Sequence, residues 1–187
     1  MYIEKEPIRG YNSYLEIDVN NGQGSMMDIG LLIMEDGDIF KFHEEDKELA
    51  WIIFSGKATL HYAGGDVDID RPNPFDYSTW CLHMSAGDSC ELTAHGHCEI
   101  YVQKTLNDRH FPAKLYRPED TDTWHRGVDG ECGGCIQRDV RTSFDYENAP
   151  YSNMVLGETV NLPGKWSSYP PHLSLIHISE PTRHAQI

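Results

Sequence analysis

Between residues 26 and 103 the chain is a succession of short apolar runs, each closed by turn residues, and this pattern constrains the fold more than any other feature. Residues 26–34 end at Glu35-Asp36-Gly37-Asp38, residues 39–43 follow, and residues 49–54 stop at Ser55-Gly56. Asp-Gly between two such runs predicts a hairpin joining them. Over residues 57–62 the alternation is strict: Ala58, Leu60 and Tyr62 share one face, and Lys57, Thr59 and His61 share the other. Gly64-Gly65 turns the chain into residues 67–69, and runs over 80–84, 89–94 and 98–103 complete the series. Strands this short, recurring every ~8–12 residues between glycine-rich turns, predict an all-β antiparallel barrel or sandwich. No segment in this region sustains a helical apolar period.

Charge narrows the function classes. Thirty acidic residues against fifteen Lys and Arg give a net charge of −15. A phosphate backbone would be repelled over most of this surface, and the basic residues are scattered, so nucleic acid is excluded as a partner. The first residues carry no signal-peptide pattern. The longest apolar run, 49–54, is far too short to span a bilayer, so no membrane partner is expected. Five cysteines (Cys81, Cys90, Cys98, Cys132, Cys135) are an odd number and suit buried free thiols in a reducing compartment, which predicts a cytoplasmic protein.

Residues 104–150 have another texture, polar and rich in Asp, Thr, Arg and Gly, with Pro112, Pro118 and Pro150. They predict an ordered linker with one or two short strands, 135–140 being the best candidate. Residues 155–160 read as the first strand of a new domain, followed by Pro163-Gly164 and Pro170-Pro171. From Leu173 the character changes abruptly, and residues 173–183 read as a translated sequencing adapter. The expected organisation is an N-terminal barrel (1–112), an inter-domain linker (113–152), the start of a second barrel (153–172) and an artefactual tail (173–187).

Several constellations could carry chemistry. Gly37, His43, Glu45, Glu48 and Gly56 resemble a degenerate first motif of the cupins, in which two histidines and a glutamate hold a divalent metal. Glu45 stands where the second histidine belongs, and the run reads more simply as an acidic loop. Adding His83 to His43, Glu45 and Glu48 gives a metal-dependent dioxygenase-type alternative. His95-x-His97 has ligand-pair spacing but straddles Gly96 in a turn, so hydrogen-bonded surface histidines are expected. Cys132-x-x-Cys135, flanking Gly133-Gly134, is half a zinc knuckle without a second pair, and reads as a loop with two free thiols.

The most distinctive stretch is residues 157–172, Gly-Glu-Thr-Val-Asn-Leu-Pro-Gly-Lys-Trp-Ser-Ser-Tyr-Pro-Pro-His. It describes a strand, a Pro-Gly turn and a rigid aromatic element that delivers His172 with little freedom. Trp166, Ser167, Ser168 and Tyr169 make a hydroxyl-rich aromatic wall suited to a sugar. From the physics alone they serve equally well as an aromatic turn packed on a barrel rim.

Residues 160–172 closely resemble the signature of bacterial 5-deoxy-glucuronate isomerases of myo-inositol breakdown. His125-Arg126-Gly127, the stretch from Arg138 to Arg141, and Asn148-Ala-Pro-Tyr-Ser-Asn-Met-Val-Leu-Gly-Glu158 agree in order. The resemblance implies a double cupin, with a metal-free N-terminal barrel and a C-terminal barrel holding a divalent metal (zinc or similar). It implies an aldose–ketose isomerisation, 5-deoxy-glucuronate to 5-dehydro-2-deoxy-gluconate, in which a proton moves between C1 and C2 through an enediol(ate). Such a step needs a base at carbon and a Lewis acid or hydrogen-bond donors on the two oxygens.

In that family the Pro-Pro-His histidine opens a His-x-His metal pair, completed by a glutamate and a third histidine. His172 matches the first ligand, Ser174 stands at the second, and the others have no counterpart. The expectation is therefore an incomplete isomerase, inactive and without metal, whose catalytic residues belong to the absent barrel. A sugar acid is the expected small-molecule partner. The uncovered edge at 155–160 predicts poor solubility or association, a homo-oligomer being the form association would take. The alternative is a non-catalytic sugar-acid-binding cupin.

Overall fold

The structure, a computed structural model, describes residues 6–17, 26–128 and 130–166. The strands are β1 (Gly10–Leu15), β2 (Asp28–Met34), β3 (Ile39–His43), β4 (Lys47–Tyr62), β5 (Gly65–Arg71), β6 (Cys81–Met84), β7 (Ser89–Ala94), β8 (Cys98–Leu106), β9 (Lys114–Tyr116), β10 (Thr123–Arg126), β11 (Arg138–Phe144) and β12 (Leu156–Asn161). Between them lie two short 3-10 turns, Pro118–Asp120 and Glu131–Gly134. The expected all-β antiparallel class is what the chain adopts. Among the described residues no helix is long and apolar enough to cross a membrane.

Two antiparallel sheets share one strand. The first runs β1-β2-β8-β4-β6-β9, and the second pairs β5 and β7 to β4, with β3 beyond β7. The first half of β4 lies between β8 and β6, with Trp51 opposite Val102 and Leu82. Its second half lies between β5 and β7, with Leu60 opposite Val67 and Leu92. The strand passes from one sheet to the other through an irregularity between Ile53 and Ser55, followed by Gly56 at φ +122°. A side chain at 56 would sit 2.5 Å from Cys98 Sγ and 2.6 Å from His97 O, so only glycine lets β4 and β8 approach there.

This corrects two expectations. Ser55-Gly56 bends one 16-residue strand and does not end it. Likewise Asp36-Gly37 is a turn but not a hairpin, because β2 pairs with β1 and β8 while β3 pairs with β7. The turn is held by the Asp38 N–H donating to Glu35 O (2.9 Å), and it sends the chain across from one sheet to the other.

Alternation along β4 divides the core. Leu49, Trp51 and Ile53 point between the sheets with Leu32, Phe42, Leu82 and Ile100. Ala50 and Ile52 point to the opposite face of the first sheet, where Cys81, Tyr116, Phe144, Met154 and Leu156 cover them. A strand buried on both faces reads as a continuous apolar run, which is what residues 49–54 are. Ala58 and Leu60 are buried on the predicted inner face of the second half. Arg71, fully buried, donates to Ile53 O (2.7 Å) and Tyr77 O (2.9 Å), satisfying a carbonyl that the irregularity in β4 takes out of the ladder.

Contacts divide the chain into two compact units, one comprising the residues up to Asp122 with Arg141–Gly157, the other Thr123–Val140 with the residues from Glu158. In the first unit, Arg141 donates to Pro74 O (2.8 Å) and Tyr77 O (2.9 Å), so residues 141–157 are tied to the barrel. Strands β10, β11 and β12 form a small sheet in that order, and the division between units falls within β11 and β12. Of the five cysteines, all free, Cys81, Cys90 and Cys98 are buried as expected. Cys132 departs from that expectation and is exposed, because it sits in a glycine-rich turn with no sheet to cover it.

Candidate functional site

One end of the second sheet opens into a cleft of about 550 Å³, within the usual range for small-molecule sites. The end of β3 supplies Lys41, Phe42 and His43, the end of β4 supplies His61 and Tyr62, and the turn into β7 supplies Asp88, Ser89, Cys90 and Glu91. Pairing fixes these neighbours: Phe42 is opposite Cys90, His43 opposite Ser89, and His61 opposite Glu91. The apolar floor is Phe42 and Cys90, which belong to the inter-sheet core, with Tyr62 packed against it.

The rim is polar. His43 Nδ1 meets Asp88 O at 3.1 Å, and His61 Nδ1 meets Asp66 Oδ1 at 2.8 Å. Each contact uses Nδ1, which leaves Nε2 as the ring nitrogen available to a ligand. The hydrogen bond that His61 donates to the Asp66 carboxylate raises the His61 pKa above its ordinary value. Lys41 pairs with Glu91 at 3.1 Å. Imidazoles and a hydroxyl beside an aromatic floor can hydrogen-bond a polar ligand, while Asp88 and Glu91 share the lining and Lys41 is already paired with Glu91.

A second polar cluster lies on the covered face of the first sheet. Glu48 and His83, both fully buried, meet at 3.0 Å between Oε2 and Nε2. Glu48 also accepts the Asn153 N–H at 2.6 Å and the Ser152 hydroxyl at 3.1 Å. The carboxyl group already accepts from Asn153 and Ser152, and the imidazole meets it as a donor through Nε2. Nδ1 is then a buried acceptor with no partner among the described residues. The ring stacks on Phe144 (4.1 Å between centroids, 2° between planes) and lies 4.6 Å from Phe111.

Of the dioxygenase-type set, the structure therefore joins Glu48 to His83 and leaves out His43 and Glu45, which are exposed. The reason is topological: residues 44–46 carry the chain from β3 in one sheet to β4 in the other, so His43 and Glu48 belong to different sheets. His95 and His97 are hydrogen-bonded surface residues, His95 Nε2 to Thr59 Oγ1 at 2.7 Å and His97 Nδ1 to Glu35 Oε1 at 2.8 Å. Sequence reasoning did not single out Tyr62, Ser89 or Lys41, because a cleft built from three strand ends leaves no local spacing. The abrupt polar cut at the ends of β3 and β4 was the available signal.

Trp166 lies after the turn at Pro163-Gly164 and is exposed, its backbone N–H donating to Cys135 O at 2.8 Å. Ser167, Ser168, Tyr169 and His172 lie outside the described residues. Among the described residues no group of three or more His, Cys, Asp or Glu is placed to hold a metal ion. Glu48 and His83 do not begin such a group, because the carboxylate is taken by Ser152, Asn153 and the imidazole itself. The divalent metal that the resemblance implies belongs to the C-terminal barrel, whose candidate ligand His172 lies outside the described residues.

A closed pair of antiparallel sheets with an opening at one end is the architecture of a cupin. Comparison carries this further: the chain belongs to the KduI/IolB family, which it matches over residues 2–174. It is 24% identical over 147 residues to a 5-deoxy-glucuronate isomerase of Geobacillus kaustophilus, covering 75% of this chain and 50% of that protein. It is 22% identical over 160 residues to a 5-deoxy-glucuronate isomerase of Bacillus subtilis, covering 84% of this chain and 57% of that one. The crystal structure of an IolB-like protein from Salmonella typhimurium superposes with a TM-score of 0.76 at 17% identity, covering 88% of this chain and 60% of the other. The chain thus spans about half to three-fifths of the length of the proteins it matches.

Proposed function

We propose that this chain is the N-terminal barrel, with the opening of the second, of a sugar-acid isomerase acting on 5-deoxy-glucuronate. The observation that carries the reading is the family match over residues 2–174, which runs through the stretch ending at His172. The reaction is an aldose–ketose isomerisation, a proton transfer between adjacent carbons. In this reading Trp166, Ser167, Ser168 and Tyr169 bind the sugar acid and His172 is a metal ligand. The second barrel, in this reading, contributes the catalytic base, and the N-terminal barrel alone does not turn the sugar acid over. On the same reading residues 1–112 are an N-terminal barrel, 113–152 a linker and 153–172 the start of a second barrel, in a cytoplasmic protein that self-associates.

The test is a pair of assays. The isomerase reaction, followed as conversion of the aldehyde to the ketone, should proceed in a protein extended through a complete second barrel and be absent in the 187-residue chain. Equal activity in both, or none in the extended protein, overturns the proposal.

A second reading draws on the barrel cleft, which has the size and lining of a small-molecule site by itself. In that reading the chain binds a sugar acid without turning it over. Calorimetric titration with glucuronate should then show saturable binding that Tyr62→Ala abolishes. Absence of binding by the wild-type chain rejects this reading and leaves the first intact.

A further inference from the structure

Residues 130–135 form a turn in which Gly130, Cys132, Gly133 and Gly134 take φ of 78°, 48°, 65° and 74°. Among the described residues Cys132 alone adopts positive φ with a side chain, a conformation that crowds Cβ against the following carbonyl. The turn closes with the Cys135 N–H donating to Cys132 O (3.4 Å) and the Gly133 N–H donating to Gly130 O (3.0 Å). The Cys135 thiol donates to the same Cys132 carbonyl at 2.8 Å, so its sulfur is folded back over residue 132. A turn closed in this way holds the first and fourth Cα within about 7 Å, and a disulfide spans roughly 4.4–6.8 Å.

Access separates this pair from the other thiols. Cys132 is exposed and Cys135 half-buried, while Cys81, Cys90 and Cys98 are buried. Burial pushes the Cys90 thiol up to about 12 and raises Cys81 further, so neither presents a thiolate. The turn also anchors the segment after β12, because Cys135 O accepts the Trp166 N–H at 2.8 Å and Gln137 O accepts the Leu162 N–H at 3.3 Å.

We propose that Cys132 and Cys135 form a reversible dithiol–disulfide site, whose closure alters the backbone that holds Trp166. The partner is a low-molecular-weight disulfide. The Cys132 thiolate attacks one of its sulfurs, forming a mixed disulfide and releasing one thiolate. Cys135 then attacks the Cys132 sulfur and releases the second. The pair loses two electrons and two protons, the partner gains both, and the products are one intramolecular disulfide and two small thiols. A metal is the poorer occupant, since no third His, Cys, Asp or Glu is placed to join the pair among the described residues.

The experiment uses the reduced full chain, equilibrated with oxidised glutathione, acid-quenched and mapped by non-reducing peptide mass spectrometry, with tryptophan emission recorded in parallel. The wild type should lose both fast-titrating thiols, carry a Cys132–Cys135 link that dithiothreitol reverses, and shift its emission. Cys132→Ser and Cys135→Ser should each stop at a single glutathione adduct, and Trp166→Phe should remove the shift. Glutathione retained on either cysteine of the wild type without closure overturns the site, as does linkage only between two chains. One zinc ion per chain, held by the reduced wild type and lost in Cys132→Ser, overturns it in favour of a metal. A closed link with unchanged emission overturns the coupling to Trp166.

Discussion

Glu48 and His83 meet at 3.0 Å with neither side chain exposed, and the same carboxylate accepts the Asn153 N–H at 2.6 Å. A strand of the first sheet and a segment more than a hundred residues later are thus held by one buried carboxyl group. Glu48→Ala removes the acceptor and leaves an imidazole N–H and a backbone N–H unpaired in the interior. Leaving a buried donor unsatisfied costs about 1–3 kcal/mol. Urea unfolding should show that loss, and Glu48→Met with His83→Phe should recover at least half of it. A stability for Glu48→Ala within about 1 kcal/mol of wild type would show that the pair holds nothing.

Arg141 presents a similar case with the signs reversed. Its guanidinium donates to Pro74 O, Tyr77 O and Phe75 O, gathering three carbonyls of one loop. Arg141→Met keeps the bulk and removes the donors, at a cost of about 1–3 kcal/mol, and should speed proteolytic cleavage between residues 72 and 79. Arg141→Lys should not restore protection, since an ammonium lacks the planar fork. Full protection in the lysine variant would refute this.

Two glycines with positive φ separate backbone strain from crowding. Gly87, at φ +85°, has nothing within 4 Å of an added Cβ. Gly87→Ala should cost only the conformational penalty of about 1–2 kcal/mol. At Gly56 the added carbon meets Cys98 Sγ and His97 O, so Gly56→Ala should add about 1–3 kcal/mol of overpacking to that penalty. Equal midpoints for the two variants in urea would contradict the close approach of β4 and β8.

His97 gives the fold a pH-dependent increment. Hydrogen bonds to Glu35 and Glu99 raise its pKa above the ordinary histidine value. A raised folded value means that the contribution is complete below about pH 6.5 and is lost as pH climbs through the folded pKa. The pair is exposed, so the increment stays below about 1 kcal/mol. The stability gap between wild type and His97→Gln should be widest in mild acid and close in mild alkali. A gap that widens with rising pH would reverse the assignment.

Local rules exposed the strands and concealed their pairing. The alternation of residues 57–62 and the turn at Gly64-Gly65 carry their own geometry, and β4 and β5 form as predicted, with Tyr62 opposite Gly65. Asp36-Gly37 misleads because turn chemistry reports a change of direction and not which sheet receives the next strand. Ser55-Gly56 misleads because a glycine that permits close approach of two backbones looks the same in sequence as one that ends a strand. Glu48 reads in sequence as part of an acidic loop, yet it is buried in β4, because its tie to His83 and Asn153 is made by register and by a segment a hundred residues away. The cleft was illegible for the same reason, since Lys41, Tyr62 and Ser89 become neighbours only once β3, β4 and β7 are laid side by side.

The strand shared by both sheets also dictates when this barrel can form during synthesis. All four partners of β4 are encoded after it, and the last, β8, ends at Leu106. A ribosome that has just delivered Tyr62 has therefore released the central strand with nothing to zip against. Translation at about 5–20 residues per second leaves Trp51 and its neighbours bare for seconds until β8 clears the exit tunnel, and that interval is when a chaperone or an aggregate competes for the nascent chain.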